Sequence, residues 1–218
     1  MSEEPLTQRL QAGARQLNID LNDVQSSQLL AYLALLQKWN KVYNLTAVRD
    51  PQLMISRHLL DSLSVLPFLK SEATRLIDVG SGAGLPGIPL AIMRPALVCS
   101  LIDTNGKKSR FQQQVKTELG LSNVEVVHAR VEDATVSPAD YVVARAFAAP
   151  EVMVQSASHL CRDDGRMLFM LGQDTHDFSQ ISHDFCLETH VDIQVPFESG
   201  QRHIAICRRT DKDRPTLN

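Results

Sequence analysis

The chain has 218 residues, which suits one large domain, or one domain of roughly 150 residues with an added segment. Hydrophobic residues make up 44% and charged residues 22%, enough to bury a core, so disorder is not expected. The formal net charge of −3 gives no bulk signal for nucleic acid, and any such partner must be read from local charge.

No run of about 20 apolar residues occurs, so no membrane span is expected. The opening MSEEPLTQRL lacks the basic-then-apolar order of a secretory signal, and a cytoplasmic protein is expected. Cys99, Cys161, Cys186 and Cys207 form no CxxC pair, and the seven histidines form no HExxH or HxxxH pair. Reduced thiols and no metal are the expectation.

Apolar patterning changes near residue 70 and divides the chain into a helical extension (1–70), an α/β domain (71–210) and a polar tail (211–218) expected to be disordered. In residues 23–45, Leu29, Leu30, Leu33, Leu36 and Val42 recur near a helical period, with Asp23 or Ser26 as the cap. In residues 54–69, Ile55, Leu59, Leu63 and Leu66 share one helical face, and Pro67 falls at its end. His58 and Asp61, three apart on that helix, are placed to hydrogen-bond each other.

After residue 70 short β-rich runs alternate with helical ones. The strand candidates are 75–80, 97–103, 124–129, 140–145 and 165–171; helix-compatible segments lie between them. This alternation predicts an α/β fold: a doubly wound, mostly parallel sheet with helices on both faces. The last runs, 191–196 and 203–209, leave no room for a crossover helix, so they should close the sheet as an antiparallel hairpin at one edge.

The segment that carries chemistry is residues 76–87, LIDVGSGAGLPG. It closes the first strand and opens the first helix, where such a sheet binds ligands. Glycine is needed where a cofactor lies against the backbone and where the turn takes dihedrals that other residues avoid. Backbone N–H groups at the coming helix then face the ligand, and Pro89 suits the first turn of that helix. Gly82-x-Gly84-x-x-Gly87 matches the dinucleotide fingerprint, whereas Asp78-x-Gly80-x-Gly82-x-Gly84 is the methyltransferase pattern. An acid at 78 suits a cofactor with an ammonium group and opposes a pyrophosphate. S-adenosylmethionine is therefore favoured over a nicotinamide dinucleotide.

Further positions follow from topology. Asp103 ends the second strand, where a carboxylate can accept from both ribose hydroxyls; that residue fits either cofactor. Val131 and Glu132, after the third strand, are candidates for holding the adenine edge. Arg145, at the end of the fourth strand, is a candidate for contacting the cofactor carboxylate or an RNA phosphate. Residues 104–116 carry Lys107, Lys108, Arg110 and Lys116 with no acid, and residues 38–58 carry Lys38, Lys41, Arg49 and Arg57 against Asp50 alone. Such clusters can release counterions from phosphates.

Four segments together resemble one family: residues 38–46 (KWNKVYNLT), 57–62 (RHLLDS), 78–87, and 145–148 (RAFA). The chain resembles the bacterial small-subunit rRNA guanine-N7 methyltransferases, once called the glucose-inhibited division protein B family. The similarity runs from about residue 8 to residue 208, and Ser81 and Ala83 depart from the Thr and Pro that relatives often carry. The resemblance implies a class I methyltransferase fold with a helical N-terminal extension. It also implies methyl transfer to N7 of guanine 527 in the 530 loop of 16S rRNA. Family cofactor positions fall on Gly80, Leu85, Val131, Glu132 and Arg145.

The expected cofactor set is thus Asp78, Gly80, Gly82, Gly84, Leu85, Asp103, Val131, Glu132 and Arg145. Lys38, Lys41, Arg57, Lys107, Lys108 and Arg110 are expected to meet RNA. Arg145 and Phe147 are expected to position the target base, with Trp39 and Tyr43 as further stacking candidates. A small-molecule methyltransferase and a non-catalytic RNA-binding factor remain as alternatives. The short basic extension offers no dimer seam, and a monomer is expected.

Overall fold

A computed structural model of the chain describes residues 5–146, 149–172, 178 and 181–210; Phe147, Ala148 and the tail 211–218 lie outside them. The chain starts in helix α1 (Leu6–Gln16) and helix α2 (Asp23–Tyr43). Asn22, not Asp23 or Ser26, caps α2: its side chain accepts from the Gln25 N–H, and the Gln25 side chain accepts from the Asn22 N–H. Leu29, Leu33 and Leu36 are buried as the period requires, but the buried face continues through Asn40, leaving Val42 70% exposed.

Residues 51–63 form a helix in three parts: α3 (Pro51–Met54), a π-helical stretch (Ile55–Leu60) and α4 (Asp61–Leu63). A 3-10 turn, Leu66–Phe68, follows. In the wide stretch Ile55, Ser56, His58, Leu59 and Leu60 are all buried while Arg57 is exposed. Helix α1 can approach it closely because residue 13 is glycine; a Cβ there would lie 2.2 Å from Leu60 Cδ1.

The α/β part runs β1 (Arg75–Val79), α5 (Gly87–Met93), β2 (Val98–Asp103), α6 (Gly106–Glu118), β3 (Val124–His128), β4 (Ala139–Arg145), α7 (Pro150–Ala157), β5 (Cys161–Leu171), β6 (Phe185–Asp192) and β7 (His203–Arg209). The sheet order is β3-β2-β1-β4-β5-β7-β6. The first five strands pair in parallel, and β7 is antiparallel to both neighbours. The order reverses between β1 and β4, which opens a crevice at their C-terminal ends.

Two strands depart from expectation: β5 starts at Cys161 rather than 165, and the edge strand lies earlier in the chain. The edge strand is 185–192, not 191–196, because β7 needs a partner along its full length: Phe185 faces Arg209 and Asp192 faces His203. Beyond Asp192 one more backbone bond forms, from Ile193 N–H to the Arg202 carbonyl, and the chain then leaves the sheet through Phe197 at φ 67°.

Alternate residues of each strand serve different faces. Ile77, Val142 and Met167 face the side of α7, while Leu76, Val143 and Leu168 share a core with α5, α6 and the N-terminal helices. The helical extension therefore has no core of its own; it covers one face of the sheet. No helix among the described residues is long and apolar enough to cross a membrane.

Candidate active site

The bend between β1 and α5 is held from three sides by buried groups. Gly80, Gly82 and Gly84 all take positive φ (65°, 59° and 84°), where a side chain would strain the backbone. From β2, the Asp103 carboxylate accepts from the Gly82 N–H (2.8 Å) and the Asn105 N–H (2.8 Å). From α6, Gln112 Nε2 donates to Ser81 Oγ and to the Gly82 carbonyl, each at 2.8 Å. From α2, the Tyr32 hydroxyl donates to the Ala83 carbonyl at 2.8 Å. Trp39 anchors the same helix, its ring centroid 5.6 Å from that of Phe111 on α6.

Asp78 sits behind this bend. It is fully buried, lines neither of the two cavities beside the bend, and accepts from the Gly87 N–H at the start of α5 (2.8 Å). Burial raises its carboxyl to about 7, against the opposing pull of that N–H and of the Arg145 guanidinium. Gly87 is equally constrained: a Cβ would fall 2.2 Å from Leu101 Cδ2 and 2.9 Å from Asp78 Oδ2.

Two adjoining cavities open beside the bend. One, of about 240 Å³, is walled by Asp103, Val131, Ile102 and Ala129; the other, of about 320 Å³, by residues 80–83, Leu85, Arg57, Asp61, Arg145 and Arg202. They share Gly80, Lys108 and Ala146. Gly82 faces open space, and a Cβ there would meet nothing closer than 3.9 Å. The pair suits an elongated molecule with a nucleoside end at Asp103 and an amino-acid end along the glycines. Ala146 turns the chain at the junction with φ 50°, a conformation rare for a non-glycine residue.

Of the expected cofactor residues, Gly80, Gly82, Leu85, Asp103, Val131 and Arg145 lie on these walls. Gly84 turns inward, where a Cβ would meet Ile88 at 2.3 Å. Glu132 is exposed and stands off both cavities. Phe147 lies outside the described residues. Lys38, Lys41, Lys107 and Arg110 are exposed. Lys108 is half-buried, its Nζ 3.7 Å from Asp103 Oδ2 and on the wall of both cavities.

The wall facing the glycines is assembled from distant segments. Arg145 Nη1 donates to Asp61 Oδ2 (2.8 Å) and to the Arg57 carbonyl (2.8 Å) in the π-helical stretch. Arg202, from the β6–β7 loop, brings its Nε to 3.4 Å from Asp61 Oδ1. Glu198, in the same loop, accepts from Ser56 Oγ (2.6 Å) and Arg57 Nε (3.1 Å). His58 and Asp61 do not bond each other. His58 Nε2 pairs with Thr46 Oγ1 at 2.9 Å, because the wide turn sends the two side chains to different neighbours. Burial, with Arg145 adding to it, lowers the His58 imidazole to about 4 and keeps it neutral near pH 7.

Reasoning from sequence did not find Tyr32, Gln112, Asp61's ion pairs or Arg202. Tyr32 carries a faint signal, a polar hydroxyl within a leucine-rich buried face. Arg202 carries none, since only the folded hairpin brings it to the crevice.

The sheet order and the glycine bend define a class I methyltransferase fold, the fold class of S-adenosylmethionine-dependent methyltransferases. The solved mitomycin 7-O-methyltransferase shares it at a TM-score of 0.59 and 14% identity, covering 94% of this chain and 67% of that one. An O-methyltransferase from neocarzinostatin biosynthesis, solved with S-adenosylmethionine, shares it at a TM-score of 0.52 and 14% identity, over 63% of this chain and 49% of that one. At such identities the likeness is one of fold.

Sequence comparison is more specific. The chain is 52% identical over 205 residues to the ribosomal RNA small subunit methyltransferase G of Pseudomonas syringae pv. tomato, covering 93% of this chain and 96% of the relative. The family described as rRNA small subunit methyltransferase G (GidB) matches residues 25–205. The chain belongs to that family and is a methyltransferase of small-subunit ribosomal RNA.

Proposed function

We propose that the protein transfers a methyl group from S-adenosylmethionine to N7 of guanine 527 in 16S rRNA. The observation that carries the reading is the joined pair of cavities, one ending at the Asp103 carboxylate and the other walled by Arg57, Arg145 and Arg202. In this reading Asp103 accepts from the ribose hydroxyls. Gly80, Gly82 and Leu85 line the amino-acid end, Val131 borders the adenine, and Glu132 acts from the rim. Asp78 and Gly84 serve by shaping the bend rather than by touching the cofactor. Arg145 and Phe147 position the base, and Lys38, Lys41, Arg57, Lys107, Lys108 and Arg110 meet phosphates. The protein acts as a monomer in the cytoplasm.

When bound, the sulfonium of S-adenosylmethionine supplies an already activated methyl group. Guanine N7 offers an in-plane lone pair and carries no proton, so the chain need not supply a general base. Its work is alignment and exclusion of water, which can contribute roughly 7–11 kcal/mol. His58, buried and neutral, fits a structural role in this scheme. The test is transfer of labelled methyl to 30S subunits, with mass mapping of the modified nucleotide. Label at N7 of a single guanine is expected; label absent from RNA, or on another atom, overturns the reading.

A further inference from the structure

We propose that Asp61 selects guanine by accepting hydrogen bonds from N1–H and N2–H of its Watson–Crick edge, with the neighbouring guanidiniums placed for O6. The proposal deepens the reading of this cavity as the site of guanine methylation and rests on it.

The first observation is one of charge. The larger cavity is walled by four cations, Arg57, Lys108, Arg145 and Arg202, and among the described residues Asp61 is the one carboxylate on it. A carboxylate in a pocket that meets a polyanion weakens phosphate binding, so it serves there either to hold the arginines or to accept from the base. The second is geometry. Asp61 is 8% exposed at its side chain and is fixed by Arg145 at 2.8 Å and Arg202 at 3.4 Å, one on each oxygen. Two carboxylate oxygens offer about four acceptor positions, so two such contacts leave capacity for a ligand. In a secluded wall each hydrogen bond counts for more than in water.

The third is base chemistry. Guanine alone presents two adjacent donors, N2–H and N1–H, next to an acceptor, O6. Adenine and cytosine would turn a ring-nitrogen lone pair toward the carboxylate, and uracil has one donor between two acceptors. A carboxylate beside guanidiniums complements the guanine edge and opposes the others. Reading that edge leaves N7, on the adjoining Hoogsteen edge beyond O6, free for the methyl group.

The alternative role is purely positional: Asp61 orients Arg145 and never touches RNA. Inosine lacks the 2-amino group but keeps N7 and N1–H, so it separates the two. The experiment uses 30S subunits reconstituted with 16S rRNA that carries guanosine, inosine or 7-deazaguanosine at the target position. For the wild-type enzyme, kcat/KM is expected to fall roughly tenfold from guanosine to inosine. For Asp61→Asn the two substrates should come within about threefold of each other, with S-adenosylhomocysteine affinity by calorimetry showing that the variant is folded. Equal wild-type rates on guanosine and inosine overturn the proposal even if the variant fails to fold. So does an Asp61→Asn enzyme that slows both substrates by the same factor. Transfer to 7-deazaguanosine would instead refute N7 as the methylated atom, and the inosine comparison would still decide the role of Asp61.

Discussion

The two sides of the crevice are built on different principles. The glycine bend is held by buried groups with short hydrogen bonds: Asp78, Asp103, Gln112 and Tyr32 each fix one or two backbone atoms. The facing wall is held by ion pairs between segments far apart in the chain, and several of their members reach solvent; Arg57 is 46% exposed and Arg202 32%. Buried hydrogen bonds hold one shape whatever the salt. Partly exposed ion pairs can be exchanged for pairs with a phosphate. One side of the crevice is thus fixed, while the charges of the other are open to exchange.

The largest expected effect lies in the fixed side. Gly87→Ala would push a methyl group against Leu101 and Asp78, and neither can move freely within the core. Overpacking of this kind costs about 1–3 kcal/mol, and here it also displaces the start of α5. A lower melting temperature and at least a tenfold loss of S-adenosylhomocysteine affinity are expected, by thermal unfolding and calorimetry. Unchanged affinity would show that the bend is not rigid.

Asp78→Asn tests the same side through pH. The folded carboxyl sits at about 7, above the roughly 3.9 of an unfolded one, so the native state holds the proton more tightly. The resulting stability is fully present below about pH 4 and is lost as pH rises through about 7. The wild-type melting temperature should therefore fall between pH 5 and pH 8 more steeply than that of Asp78→Asn. From pH 5 to pH 8 the balance should shift toward the variant, by on the order of a few kcal/mol. Parallel pH profiles would mean that Asp78 is ionised throughout that range.

The same contrast explains what could be read in the sequence. The bend is local: Asp78 to Gly87 spans ten consecutive positions, and its conformational needs select glycine one position at a time. Strands β1 to β5 were legible because their alternation and spacing follow from burial on both faces. The roles within the bend were less legible. The charge of Asp78 pointed to a cofactor ammonium, yet the fold turns that carboxylate toward the Gly87 N–H. The facing wall could not be read, because Asp61, Arg145 and Arg202 are joined only by folding. The π-helical stretch also broke the i,i+3 rule that paired His58 with Asp61. Edge strand β6 was misplaced because its position depends on the length of β7, a non-local constraint.

Tyr32→Phe asks whether the helical extension belongs to the fixed side. It removes one buried donor and leaves the Ala83 carbonyl unpaired, at a cost of about 1–3 kcal/mol. A several-fold weaker affinity for S-adenosylhomocysteine is expected, with RNA affinity unchanged. Equal weakening for both ligands would assign Tyr32 to general stability instead.

The smallest effect on stability, and the sharpest test of the recruitable wall, is Glu198→Gln. The Arg57 partner is half-exposed, so losing the ion pair should cost under about 1 kcal/mol, and the Ser56 hydroxyl can still bond the amide. Yet the change frees the Arg57 guanidinium from its acidic partner. If Arg57 meets a phosphate in the complex, the wild-type protein must first give up the Glu198 pair, and the variant need not. Glu198→Gln should therefore bind 16S rRNA more tightly than the wild type at low salt, while Arg57→Ala should bind more weakly. Each phosphate contact contributes about 0.7–0.9 to the slope of log K against log salt, so the Arg57→Ala slope should be shallower by about that amount. Should both variants keep the wild-type slope and affinity, Arg57 stays bound to its loop and the RNA is held by the other cations.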